Sequence, residues 1–242
     1  HTGGEPTRNV VGGIPVVPGA TMREKMQYMM ENCDDIRQLL VYEPRGNEVM
    51  SGTVITPPCD PKADVGVLFF EVGYWMPMCG HDTIGVATAL VESGMVEVTE
   101  PVTHITLDTA AGLVELEVEV EDGVAKQVSF TNAPAFVMKQ GAVVDTGEYG
   151  KLEIDIAYGG NIYAILPAAS VGLDIVPENA GLIVRVGNLL KEYIHQQVPV
   201  VHPEMDFINT VTHVDFSGPP TNPLATIQNA VDIPPGAIDR ST

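Results

Sequence analysis

From Gly112 the chain alternates in period two: Leu113, Leu116, Val118 and Val120 stand against Glu115, Glu117, Glu119 and Glu121, with Val114 breaking the pattern. Side chains of a strand point to opposite faces in turn, so this run is a strand with one buried and one acidic, solvated face. Glu121-Asp122-Gly123 then supplies a tight turn, and Val124 to Asn132 reads as the return strand. A hairpin with one wet face must lie against something apolar, which the helical stretches elsewhere can provide. The chain is therefore expected to be α+β. The same hairpin is the natural break between two lobes, residues 1–120 and 121–242.

Residues 21–40 place Met26, Met29, Met30, Cys33, Ile36 and Leu40 at helical spacing behind Thr21, which predicts one amphipathic helix with a threonine cap. Strands are predicted at Gly52 to Thr56, Val65 to Phe70 and Val102 to Leu107, with Pro-rich punctuation between the first two. Ile84, Ala87, Thr88, Leu90 and Val91 share a helical face, and Ser93-Gly94 is a left-handed stop. The second half repeats the plan, with strands near Leu152 to Ala157 and Ile162 to Leu166, a helix from about Glu178 to Gln196, and more strands to Ile233.

The formal charge is −20, from 32 acids and 12 bases, so the surface field repels nucleic acid and anionic lipid. No run approaches the roughly 20 apolar residues that span a bilayer, and no basic-then-apolar leader is seen. A soluble, cytoplasmic protein is expected. Cys33, Cys59 and Cys79 show no Cys-x-x-Cys spacing, which argues for reduced thiols and against a disulfide framework or structural zinc. His104, His195, His202 and His213 are scattered without a two-His spacing, so no metal is expected, and Gly159-Gly160 lacks the Lys-Ser/Thr of a phosphate loop. The chain starts at His1 without a Met and stops at Thr242, and neither is expected to be a natural terminus.

The segment richest in chemistry is Met78-Cys79-Gly80-His81-Asp82-Thr83-Ile84-Gly85, where extended Tyr74-Trp75-Met76-Pro77 hands over to a helix. A thiol at a helix start meets unpaired N–H groups and the positive end of the dipole, which favour a thiolate and can hold a small carboxylate. Gly80 lets a ligand approach the backbone, and His81 adds a donor or acceptor in the same turn. By spacing alone, a buried structural thiol beside a surface histidine describes the segment equally well.

The octet resembles the Met-Cys-Gly-His-Gly-Thr-Ile-Gly signature of the proline racemase family. Other blocks resemble the same family in the same order: His1-Thr2-Gly3-Gly4-Glu5-Pro6-Thr7-Arg8, Glu43-Pro44-Arg45-Gly46, Tyr158-Gly159-Gly160-Asn161-Ile162-Tyr163-Ala164 and Ile238-Asp239-Arg240-Ser241. The resemblance implies a fold like diaminopimelate epimerase, with two pseudo-symmetric lobes, each a central helix wrapped by mixed strands. It implies a cofactor-independent homodimer acting on a small imino acid, in which Cys79 and a second cysteine move the Cα proton on opposite faces. Gly80 and His81 match positions that contact the substrate carboxylate or ring nitrogen, and Asp239 matches an acid that binds the imino nitrogen.

Several positions depart from the pattern. The second catalytic position would follow Thr242, so the sequence reads as roughly the first two thirds of such an enzyme, its C-terminal part missing. A Thr rather than Cys there would resemble trans-3-hydroxy-L-proline dehydratases. Ser51 and Ile233 stand where proline-specific members resemble Phe. A Ser51 hydroxyl in the pocket could read a substrate hydroxyl, pointing to 4-hydroxyproline, or the residue could simply be small. Asp82 replaces Gly: it could serve the helix dipole from the surface, or turn inward and act on Cys79. Asn47 replaces a His. The expected function is a racemase or epimerase of proline or 4-hydroxyproline, with the dehydratase and a non-catalytic imino-acid-binding relative as alternatives.

Overall fold

The computed structural model describes residues 1–233 and 235–239, which divide into two compact units meeting in sequence between Ala133 and Pro134. The first unit therefore keeps both arms of the hairpin expected to mark the boundary. The reason is the ladder: β6 (Gly112–Glu121) and β7 (Val124–Thr131) pair along their lengths, with Asp122 and Gly123 both at positive φ in the turn. Breaking the chain there would cut a ladder, whereas Ala133-Pro134 lies after it.

The first unit is a seven-stranded sheet ordered β1 (Thr7–Val10), β2 (Ser51–Thr56), β3 (Val65–Glu71), β5 (Val102–Thr109), β6, β7, with β4 (Trp75–Met76) paired to β3. Strand β2 runs parallel to β1 and antiparallel to β3; β3 reaches its parallel neighbour β5 through the helix α3 (Gly80–Glu92). A parallel neighbour needs such a crossover. Val86, Ala87, Leu90 and Val91 of α3 pack with Val67, Phe69, Leu107, Leu116 and Val118 of the sheet. Each fully buried aliphatic side chain of this kind is worth about 1.5–3 kcal/mol. The helix ends as expected: Gly94 is left-handed, and the N–H of Met95 donates to Leu90 O at 2.9 Å.

The acidic strand has its four glutamates exposed, but Val114 belongs to the buried row with Leu116, Val118 and Val120, and Leu113 is the residue off the pattern. It is also an interior strand; β7 is the edge. The helix predicted over residues 21–40 is two, α1 (Met22–Asn32) and α2 (Asp34–Val41), broken at Cys33. Thr21 caps α1 by accepting the N–H of Glu24 at 3.1 Å. The break follows from Asp34, which restarts the helix and turns its carboxylate to Arg37 and to the indole N–H of Trp75.

The second unit is a six-stranded sheet: β8 (Phe136–Asp145), β9 (Lys151–Tyr158), β10 (Ile162–Pro167), β11 (His213–Gly218), β12 (Gln228–Ile233) and β13 (Ala237–Asp239). Its long helix, α4 (Ala180–Gln197), buries Ile183, Val186, Leu190 and Ile194, spaced to share one stripe, in a core with Ile154, Ile156, Leu166, Val214 and Phe216. Strand β8 was not foreseen, because it is an edge with Val137 and Val143 exposed and with Gly141, at positive φ, inside a register shift.

The two units share one connectivity. In the first, β2 is antiparallel to β3, α3 crosses to the parallel β5, and β6 and β7 follow antiparallel. In the second, β9 is antiparallel to β10, α4 crosses to the parallel β11, and β12 and β13 follow antiparallel. The expected α+β class and its internal repetition are thus both present.

Candidate active site

Cys79 is the N-cap residue of α3, extended at φ −136° and ψ 126°, because β4 and Pro77-Met78 deliver the chain straight into the helix. Its carbonyl accepts the N–H of Thr83 at 3.0 Å and the Thr83 hydroxyl at 2.7 Å. The thiol is thus held at the first turn by its own backbone. The N–H groups of Gly80, His81 and Asp82 lie in that turn, ahead of Thr83, the first N–H with an intrahelical acceptor. At Gly80 a Cβ would meet only the Phe130 ring, at an ordinary 3.5 Å, so the fold does not require a glycine there.

His81 is buried and both ring nitrogens have partners: Nδ1 lies 3.4 Å from Cys79 Sγ, and Nε2 lies 2.7 Å from Ser51 Oγ. Its carbonyl accepts the Thr2 hydroxyl at 2.9 Å. Ser51, the first residue of β2, is 1 % exposed and donates to Asp82 Oδ1 at 2.8 Å. The register that places Ser51 opposite Thr7 on β1 completes the cluster, since the Thr7 hydroxyl donates to the same Asp82 oxygen. Beneath it, α3 approaches β1 so closely that a Cβ on Gly85 would lie 2.4 Å from Thr7 Cγ2. Thus Cys79, His81, Ser51, Asp82 and Thr7 form one connected chain in the first unit.

Of the two readings of Asp82, the inward one holds: the residue is fully buried, so it does not face solvent as a dipole partner. Burial pushes its carboxyl up, and the carboxylate of Glu71 on β3 pushes the same way; His81 and the Thr7 and Ser51 hydroxyls pull it down. Ser51 has its one proton directed to Asp82 and its oxygen against His81, not a hydroxyl open to a ligand. Donor atoms of Cys79, His81 and Asp82 lie within 4.8 Å of one another.

Asp239 and Ile233 belong to the second unit, on β13 and the end of β12. Asp239 is half-buried, with Oδ1 enclosed and no hydrogen-bond partner among the described residues. Arg240, Ser241 and Thr242, from which the register of the second catalytic position was argued, lie outside the described residues. The remaining histidines have structural surroundings: His202 Nδ1 accepts the N–H of Glu204 and Met205, His195 Nε2 lies 3.0 Å from Val211 O, and His104 is exposed. Cys33 sits at the α1–α2 break, and the backbone N–H of Cys59 donates to Asp108. No helix among the described residues is long and apolar enough to cross a membrane.

Sequence reasoning flagged Cys79, Gly80, His81, Ser51 and Asp82 but not Thr7, the second donor to Asp82. Its only signal was membership of the opening block.

The first unit thus presents a buried thiol at a helix start, connected to a histidine, a serine and an aspartate. The chain matches the Proline racemase family over residues 1–242 and belongs to it. It is 52% identical over 241 residues to an uncharacterized protein of Bacillus anthracis, covering all of this chain and 70% of that one. It is 48% identical to a 4-hydroxyproline 2-epimerase of Streptosporangium roseum, again over the whole chain and 72% of the relative. The crystal structure of a hydroxyproline epimerase from Agrobacterium vitis with bound trans-4-OH-L-proline is similar with a TM-score of 0.93 and 35% identity, covering 100% of this chain and 70% of that one.

Proposed function

We propose that this protein is a cofactor-independent epimerase or racemase that inverts Cα of 4-hydroxyproline or proline, with Cys79 as one of two residues that move the proton. The observation that carries this reading is Cys79 Sγ at the start of α3, 3.4 Å from His81 Nδ1, in a chain of the proline racemase family. An α-proton of an amino acid is weakly acidic, so its removal needs a base of tuned pKa and fixed donors for the developing charge. The thiol supplies the first. The N–H groups of Gly80 and His81 supply donors for the substrate carboxylate, and the lack of any internal demand for Gly80 supports a backbone left open to a ligand.

Asp239, whose enclosed Oδ1 has no hydrogen-bond partner among the described residues, is assigned the imino nitrogen of the substrate. His81 acts on the thiol rather than on the substrate ring, because its two nitrogens are engaged by Cys79 and Ser51. The family resemblance implies a second proton-transfer residue on the opposite face of the substrate, a cysteine if the reaction is inversion. A homodimer in the cytoplasm accords with the family resemblance. 4-Hydroxyproline is favoured over proline because Ser51 and Ile233 replace the two ring-packing phenylalanines, and because similar proteins include hydroxyproline epimerases.

The test is product analysis with full-length protein. Incubation with trans-4-hydroxy-L-proline should yield cis-4-hydroxy-D-proline, and L-proline should yield D-proline more slowly. Loss of water from trans-3-hydroxy-L-proline without inversion of either substrate would replace this reading with the dehydratase.

A further inference from the structure

Asp82 has no part in the chemistry described so far, yet it is the most completely enclosed acid beside the thiol. Its oxygen Oδ1 accepts from both Thr7 and Ser51. An acceptor oxygen takes protons from its partners, so the single hydroxyl proton of Ser51 is committed to Asp82. Ser51 Oγ can then only accept from His81 Nε2, 2.7 Å away, and that nitrogen must carry its hydrogen. The other nitrogen, Nδ1, is left with a lone pair directed at Cys79 Sγ.

We propose that Asp82 and Ser51 are positioning residues that fix His81 as the Nε2–H tautomer, so that Nδ1 takes the Cys79 proton and the resulting thiolate–imidazolium pair is held by the Asp82 carboxylate through Ser51. The proposal rests on the reading of Cys79 as an acid/base residue. In the step, the S–H bond breaks and an N–H bond forms at Nδ1; the protons on Nε2 and on Ser51 Oγ stay where they are, each strengthening its hydrogen bond. The charge on Asp82 is not idle, since His81 Nε2 lies 3.6 Å from Oδ1 and a cation there offsets the cost of burying the carboxylate.

Among the described residues of the first unit, the titratable groups that face this cluster are few. On α3 they are Cys79, His81 and Asp82. On β3 there is Glu71, and ahead of β1 there is Glu5, which has a carboxylate oxygen within 4.8 Å of a His81 nitrogen. Thr7 and Asn9 of β1 and Ser51 of β2 carry no charge, and β6 and β7 expose Glu115, Glu117, Glu119, Glu121 and Lys126 to solvent.

The test is the pH dependence of iodoacetamide alkylation at Cys79, followed by mass spectrometry of its peptide, with Cys33 and Cys59 as internal references. In the wild type, Cys79 should react as thiolate below the ordinary thiol range of about 8.5. Asp82→Asn, which keeps the shape and removes the charge, should move the inflection up by about one pH unit. Ser51→Ala should move it in the same direction, and Ser51→Thr should restore it. An unshifted inflection in either of the first two variants would overturn the proposal, as would a shift found only in Glu5→Gln. If a variant does not fold, 15N NMR of His81 in the wild type decides: the Nδ1–H tautomer contradicts the proposal. Because the titration needs no substrate, it stands apart from the function; Cα exchange surviving Cys79→Ser would remove the acid/base reading and leave the titration to report on the relay alone.

Discussion

Ser51 Oγ lies 2.7 Å from His81 Nε2 and 2.8 Å from Asp82 Oδ1, so a residue on β2 bridges two neighbours on α3 by hydrogen bonds. Helical neighbours in sequence diverge by about 100° around the axis, and here the hydroxyl of a third residue links their side chains. This makes the strand–helix register a determinant of the thiol's surroundings. A Phe at position 51 should therefore do more than refill the ring pocket. Ser51→Phe is expected to lower kcat/KM for proline and 4-hydroxyproline alike, by about a hundredfold, on the scale of a misplaced catalytic group. A ratio that swings toward proline with little loss of rate would return Ser51 to the role of ring reader.

Asp34 offers a pH readout far from the site. The Arg37 guanidinium bonded to it lowers its carboxyl from 3.8 to about 2, helped by Gln38 and by the indole N–H of Trp75. A carboxyl depressed on folding contributes stability that is complete above its unfolded value and is lost as pH falls through its folded one. Stability should thus decline between pH 3.8 and about 2, and less steeply in Asp34→Asn. Trp75 is the sole tryptophan, so its fluorescence should follow the same titration.

The ion pair between Lys191 and Asp232, 2.8 Å apart and buried beneath α4, makes a second prediction about stability. Lys191→Met leaves a buried carboxylate without its cation and should cost about 3–5 kcal/mol at neutral pH by chemical denaturation. Burial already holds the Asp232 carboxyl above its ordinary value. An acid raised on folding favours the folded state when protonated, so the deficit should shrink as pH falls through that raised value. Adding Asp232→Asn to Lys191→Met should recover most of the loss at neutral pH.

At Gly85 the close approach of α3 to β1 is testable by a single methyl. A Cβ there would sit 2.4 Å from Thr7 Cγ2, so Gly85→Ala must push Thr7 away from Asp82. We expect about 1–3 kcal/mol of destabilisation from the overpacking, read as a lower denaturation midpoint. An unchanged midpoint would mean that β1 yields freely.

Much of the architecture was legible because it is written in short-range patterns. Alternation over Leu116 to Glu121, the Asp122-Gly123 turn and the Ser93-Gly94 stop each specify geometry through two to ten consecutive residues, and the structure has them. The break at Cys33 was hidden, because Met29 and Ile36 keep a helical period across it; what accompanies the break is the bond from the Trp75 indole to Asp34, a tertiary contact. The site divides in the same way. Cys79, Gly80 and His81 are neighbours and were read together, whereas the link from His81 to Asp82 passes through Ser51, some 30 residues away, and depends on β1–β2–α3 packing. The sequence could offer Asp82 as an inward or an outward acid and had no means to choose.

The central claim is that Cys79 exchanges the Cα proton of an imino acid. Full-length protein incubated in D2O with trans-4-hydroxy-L-proline or L-proline should place one deuterium at Cα, read by mass spectrometry and proton NMR, and Cys79→Ser should reduce that incorporation by at least about a hundredfold. Incorporation at the wild-type rate in Cys79→Ser would contradict the account.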